Sequence, residues 1–155
     1  MATPSATEFG TYQTSEPEWL QSTLTAHRVI QPGGIYLDPT AFSVAPYLRD
    51  DGRLWVPSGT IIYRSVVDQE AGDMGYSPLL AADAATILLA DVGDYQIGIN
   101  YGTIWDLREE TSSAMIQAKS GNQILVNFLP NQANVTADTK SVLRRAGFIL
   151  LIGKS

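Results

Sequence analysis

Chemistry needs particular side chains at particular spacings, and this chain of 155 residues offers few of either. It has no cysteine, which excludes disulfides, thiolate zinc sites and cysteine nucleophiles. Its one histidine, His27, has no companion in sequence that would make it a working general base. Ser58 stands in Pro57-Ser58-Gly59, whereas a nucleophile elbow needs Gly-x-Ser-x-Gly. Gly33-Gly34 lacks the remainder of a phosphate-binding loop. Asp50-Asp51 and Glu109-Glu110 are adjacent carboxylates. A strand would send each pair to opposite faces, and a turn would leave both groups in water. Acid–base carboxylate pairs are set by separation in space, so adjacency in sequence carries little. No window has the alternating oxygen ligands and closing Glu of a calcium loop. Asn134-Val135-Thr136 has the form of a glycosylation acceptor but reads more simply as a loop and helix cap. Trp19, Trp55 and Trp105 could line a sugar groove, or serve as core or interface residues. These residues give no basis for an enzyme, and no cofactor or metal is expected.

The composition points to contact with a partner. Charged residues make up 17% of the chain and hydrophobic ones 45%, against a usual charged share of about 25%. Either part of the surface is covered by another molecule, or the domain is an ordinary β-rich one with a large core. The net charge of −6 argues against a nucleic-acid partner. The charge is also uneven. Up to Leu107 there are four basic residues against thirteen acidic ones, and from Arg108 onward six against three. Opposed halves of this kind can steer self-association or docking. The N-terminus lacks the basic start and apolar stretch of a secretory signal. No segment approaches the roughly 20 apolar residues of a membrane span, so no membrane partner is expected.

The elements that would position these residues centre on Pro57–Val92. A Pro57-Ser58-Gly59 turn leads into the strand-like Thr60–Val67. A glycine-bearing acidic link follows, then Tyr76-Ser77-Pro78-Leu79 and the apolar run Ala85–Val92, which reads as a second strand. Before this stretch come short apolar pieces at 35–37, 42–48 and 54–56, separated by turns, with Gly52 suited to positive φ. After it, Tyr95, Ile97 and Ile99 alternate as in a half-buried strand, and 103–107 reads as the next strand. Residues 109–119 stay open between strand and a short helix. Residues 123–129 read as a strand stopped by Pro130. Val135–Gly147 is the best helix, with Thr136 as N-cap, Asp138 in the first turn, Arg144 and Arg145 near the end and Gly147 at C′. Val142, Leu143 and Ala146 form its expected buried side, and Phe148–Ile152 an apolar strand returning to the core.

Residues 1–27 read as an N-terminal arm, and 28–155 as a single β-rich domain. The first fifteen residues are mostly Ala, Thr, Ser, Pro, Gly and Gln, a composition too poor to order itself. Phe9, Tyr12, Trp19 and Leu20 are the expected anchors of that arm on a partner. An extended arm can add a strand to a partner's sheet edge.

Ser58-Gly59-Thr60-Ile61-Ile62-Tyr63-Arg64, the later Tyr76-Ser77-Pro78 and the run ending Asp91-Val92 resemble the phage lambda head decoration protein family. Ala137-Asp138-Thr139-Lys140 through Arg145-Ala146-Gly147-Phe148-Ile149 is similar to that family's closing helix, turn and final strand. The resemblance covers about residues 55–152 and rests on the order of elements more than on diagnostic residues. It implies a mostly-β, clip-like fold with an incomplete barrel, one short C-terminal helix and an extended N-terminal arm. It also implies a non-enzymatic cement protein: a homotrimer on the outer surface of the virion head, with its arms on the major capsid protein. Residues 28–54 are longer than the family pattern. A tail or fibre module that binds a host glycan is the rival expectation.

Overall fold

The computed structural model describes residues 18–20, 35–108, 112–113, 115–117 and 122–153. Eight strands appear among them: β1 (Ile35–Leu37), β2 (Ile61–Ser65), β3 (Gly75–Pro78), β4 (Tyr95–Asn100), β5 (Ser112–Ser113), β6 (Met115–Gln117), β7 (Gln123–Leu125) and β8 (Ile149–Leu151). Three α-helices accompany them: α1 (Val66–Glu70), α2 (Ala81–Leu89) and α3 (Ala137–Ala146).

The main sheet has the order β5-β1-β3-β2-β4-β6. Its two edge strands are neighbours in sequence, separated by a single residue. β5 pairs with β1 at one edge, and β6 pairs with β4 at the other. Residues 112–113 and 115–117 therefore lie at opposite edges, and the sheet nearly closes into an incomplete barrel. β7 and β8 form a separate parallel pair.

Packing explains why the strand at 61–65 is the axis of the fold. Ile61 and Ile62 point to opposite faces, as successive strand residues must, and both faces are buried. Ile62 lies in a core with Leu37, Phe42, Tyr47, Leu54, Val56, Tyr76, Ile104, Leu107 and Met115. Ile61 lies in a second core with Ile87, Ile99, Ile116, Ile124, Val142, Leu143 and Phe148, which α2, α3 and β7 cover. Close packing across the sheet depends on Gly98. A Cβ there would stand 2.2 Å from Met115 Sδ.

α3 forms as its sequence dictates. Thr136 caps it, accepting the Thr139 N–H at 3.2 Å. Val142 and Leu143 are fully buried, and Gly147 closes it at φ 119°. Ala85–Val92 differs from the expected strand. Ala85–Leu89 belong to α2, whose start at Ala81-Ala82-Asp83-Ala84 lies four residues upstream, and Val92 opens a 3-10 turn capped by Asp91. Alanine has the highest helix propensity, and the Asp83 carboxylate accepts the Leu80 N–H at 3.0 Å. Ala84 and Ile87 face the core at helical spacing, which leaves Leu89 90% exposed. The link at 66–74 contains α1, capped by Ser65 Oγ on Asp68 N–H at 3.0 Å. Residues 112–113 and 115–117 are strands. β8 is an exposed edge strand, and of the Phe148–Ile152 run only Phe148 is buried.

Candidate interaction surface

Of the four expected arm anchors, Phe9 and Tyr12 lie outside the described residues. Trp19 and Leu20 correct the expectation: they are core residues, 3% and 7% exposed. Trp19 O accepts the Leu125 N–H at 2.7 Å, and Leu20 bridges Ile124, so this short piece flanks β7 on the side away from β8. The expected arm, residues 1–27, thus includes residues that belong to the body. Position near the N-terminus pointed to an arm; burial of a large indole outweighs it.

Trp19 owes its seat to the Pro57-Ser58-Gly59 turn. The indole N–H donates to Ser58 Oγ at 3.0 Å, and Ser58 Oγ donates to Tyr101 O at 2.6 Å. Ser58 is therefore a staple between three segments, with its hydroxyl fully engaged. Gly59 has φ +94°, and a Cβ on it would stand 2.8 Å from the Trp19 ring and 2.7 Å from Pro130 Cδ. Only glycine meets both demands.

The other two tryptophans lie on the surface. Val56 and Ile104 exchange backbone hydrogen bonds at 2.9 and 2.8 Å, and that antiparallel register puts Trp55 opposite Trp105. Their rings stack, with centroids 6.4 Å apart and planes at 28°. The Arg49 guanidinium lies 5.1 Å from the Trp55 ring centroid, in range for a cation–π contact. Trp105 is 65% exposed, and Leu48, next to Arg49 in sequence, 46%. Trp55 Nε1 is buried and has no hydrogen-bond partner among the described residues.

Asp106 holds this patch in shape. It accepts from Leu54 N–H at 3.4 Å, from Arg108 N–H at 3.2 Å, and from the Arg108 guanidinium at 3.1 and 2.9 Å. The residues beside both tryptophans are thereby tied to one carboxylate. The Arg108 guanidinium, helped by the two backbone donors, holds the Asp106 carboxyl down at about 2. Beneath the patch, Tyr47 packs edge-on to Phe42 at 5.1 Å, and burial pushes its hydroxyl up to about 12.

Arg49 was not among the residues singled out from sequence. The signal was present in the Asp50-Asp51-Gly52 turn with apolar runs on both sides, which is a hairpin pattern. The hairpin forms, with Leu48 bridging Leu54 and Arg49 N–H bonded to Arg53 O at 2.9 Å. Of the adjacent carboxylate pairs, Asp51 is spent on Arg53, at 2.7 Å across an exposed turn. Glu109-Glu110, Gly33-Gly34 and His27 lie outside the described residues. Asn134 and Thr136 act as loop and cap: Thr139 Oγ1 donates to Asn134 O at 2.6 Å.

Arg64, from the strand that carries the family resemblance, is buried at 8% exposure. It donates through Nε to Gln96 Oε1 at 3.1 Å and through NH1 to Met74 O at 3.0 Å, and it lies 4.5 Å from the Tyr76 ring centroid. It fastens β2, β4 and the start of β3 together and takes no part in the surface patch. Among the described residues no group of three or more His, Cys, Asp or Glu is placed to hold a metal ion. No protein-family model, curated protein or solved structure matches the chain.

Proposed function

We propose that this chain is a head decoration protein of the phage lambda type. It binds the outside of the capsid as a trimer, contacts the major capsid protein and stabilises the shell without performing a reaction. The observation that carries this reading is the Trp105–Trp55–Arg49 patch on a barrel body. Tryptophan and arginine are the residue types that dominate interface hot spots. A ring that is 65% exposed yet braced by a second ring loses little entropy when covered.

The order of elements adds support. Ser58–Arg64 forms the turn and β2, Tyr76-Ser77-Pro78 lies in β3, and Ala137–Ile149 forms α3, its glycine cap and the start of β8. The run ending Asp91-Val92 departs from the pattern, being helical up to Leu89. Of the expected arm, residues 1–27, the stretch before Trp19 that carries Phe9 and Tyr12 keeps the proposed capsid-binding role. A trimer would present three patches and three arms at once, so modest contacts add up through effective concentration. A protein that binds only the mature shell stabilises it by mass action.

The test is co-sedimentation of the purified chain with expanded shells assembled from the major capsid protein of the same phage genome. The chain should pellet with the shells and raise their melting temperature. A chain that stays in the supernatant at saturating shell concentration overturns the reading. The exposed face of Trp105 also suits a sugar ring, which keeps glycan binding as the rival. Quenching of tryptophan fluorescence by host surface glycans, lost in Trp105→Ala, would favour that rival.

A further inference from the structure

We propose that copies of this chain assemble head to tail, with the apolar edge at β8 of one copy seated on the acidic β2–β3 connection of the next. The inference deepens the decoration reading and rests on it only for the need to self-associate.

The first face is built by β8. Ile149 is 47% exposed, Leu151 38% and Ile152 74%. Among the described residues the strand pairs with β7 alone. Ile149 donates its N–H to Asn122 O at 3.0 Å, so by strand alternation the main-chain groups of Leu150 point away from β7. Phe148–Ile152 has neither charge nor proline, the devices that usually blunt an open edge. The helix leading into it ends in Arg144 and Arg145, both exposed and without an ion pair among the described residues.

The second face is the connection at 66–74. Val67 is 71% exposed and Met74 53%. Asp68, Glu70 and Asp73 stand exposed around them, and no basic residue occurs between Arg64 and Arg108. The segment is tightly folded, with Asp73 N–H bonded to Asp68 O at 2.9 Å and Ala71 N–H to Val67 O at 3.0 Å.

Each face has an apolar centre and a rim of one sign, and the signs are opposite. A twofold contact would put arginine against arginine, or carboxylate against carboxylate, across uncharged side chains. A heterologous contact puts each rim against its complement and leaves one free face of each kind, which allows a ring to close. Charge complementarity therefore selects a second copy of this chain as the occupant.

Sedimentation velocity of the full chain at low and high salt tests this. The unaltered chain should assemble, and more weakly at high salt. Arg144→Glu with Arg145→Glu should weaken assembly at least tenfold, and so should Asp68→Lys with Glu70→Lys. All four substitutions in one chain should restore it. Mixing the two double variants should restore assembly with the variants alternating, because the unaltered rims pair with each other and so do the charge-swapped ones. Circular dichroism melting checks that the variants fold, and Ile152→Ser weakens the same face without changing charge. A chain that is monomeric at every concentration overturns the proposal, as does assembly that all these variants leave intact. Should assembly fail while shells still bind the chain, the faces are lost and decoration stands. Assembly as described without shell binding keeps the faces and removes decoration.

Discussion

Trp19 and Trp105 are the same residue put to opposite uses. Trp19 comes from a Ser-, Thr- and Pro-rich start, yet it is 3% exposed with its indole N–H satisfied by Ser58. Trp105 comes from an apolar stretch, yet it is 65% exposed and stacked on Trp55, whose own N–H is buried without a partner among the described residues. Local composition suggests the reverse assignment. What decides is the long-range partner: a glycine turn shaped to receive one ring, and a cross-strand register that pushes the other outward. A buried tryptophan with its N–H satisfied is structural, and an exposed ring braced by a second ring is where a partner has apolar area to cover.

The comparison breaks most easily at Trp19. Trp19→Ala should cost about 3–5 kcal/mol of stability, the usual range for deleting a buried aromatic, as seen in urea unfolding. The seat itself is tested by Gly59→Ala, which combines positive φ with overpacking and should cost about 2–4 kcal/mol. By the same logic, a truncation that removes residues 1–20 should lower the melting temperature, while one that stops after residue 17 should keep it and lose shell binding. Equal melting of the two truncations would contradict the placement of Trp19. Arg64→Met leaves Met74 O without its donor and Gln96 Oε1 with only the Tyr76 hydroxyl at 3.3 Å, and should cost about 1–3 kcal/mol. Lysine should not rescue it, because the planar fork is lost.

At the surface the effects on stability are smaller and those on binding larger. Trp105→Ala should change stability by under about 1 kcal/mol while greatly weakening shell binding. Titration should separate the two regions as well. Tyr47 and Tyr63 are both raised to about 12, chiefly by burial. Their neutral forms favour the fold fully below pH 10, and that contribution is lost as the pH rises toward 12. Asp106 is lowered to about 2 from 3.8, so its contribution is complete above pH 4 and lost as the pH falls toward 2. Melting followed over both ranges checks this. Asp106→Asn should remove only the acid limb, and binding through the patch should weaken in parallel.

What could be read from the sequence followed from local rules. Thr136, Asp138 and Gly147 bound α3 because capping chemistry is short-range. The turn glycine Gly52 takes φ +85° for the same reason. A β-rich class was legible from short apolar runs between turns, as was β2, whereas the incomplete barrel was expected only from the family resemblance. α2 was missed because Ile87-Leu88-Leu89 is apolar enough for a strand, and its helical character lies in the alanines before it. β8 looked like core because all its side chains are apolar. It became an edge because β7 is covered on its other side by Trp19 and Leu20. The surface patch was half visible: three tryptophans were evident, but which two meet depends on pairing residues 56 and 104, far apart in sequence.

The central claim is that the Trp105–Trp55–Arg49 patch is a binding surface on a body that does no chemistry. Shell co-sedimentation comparing the unaltered chain with Trp105→Ala, at matched melting temperature, tests it most directly. The unaltered chain should saturate the shells, and the variant should stay largely in solution. Equal pelleting of the two would contradict the account.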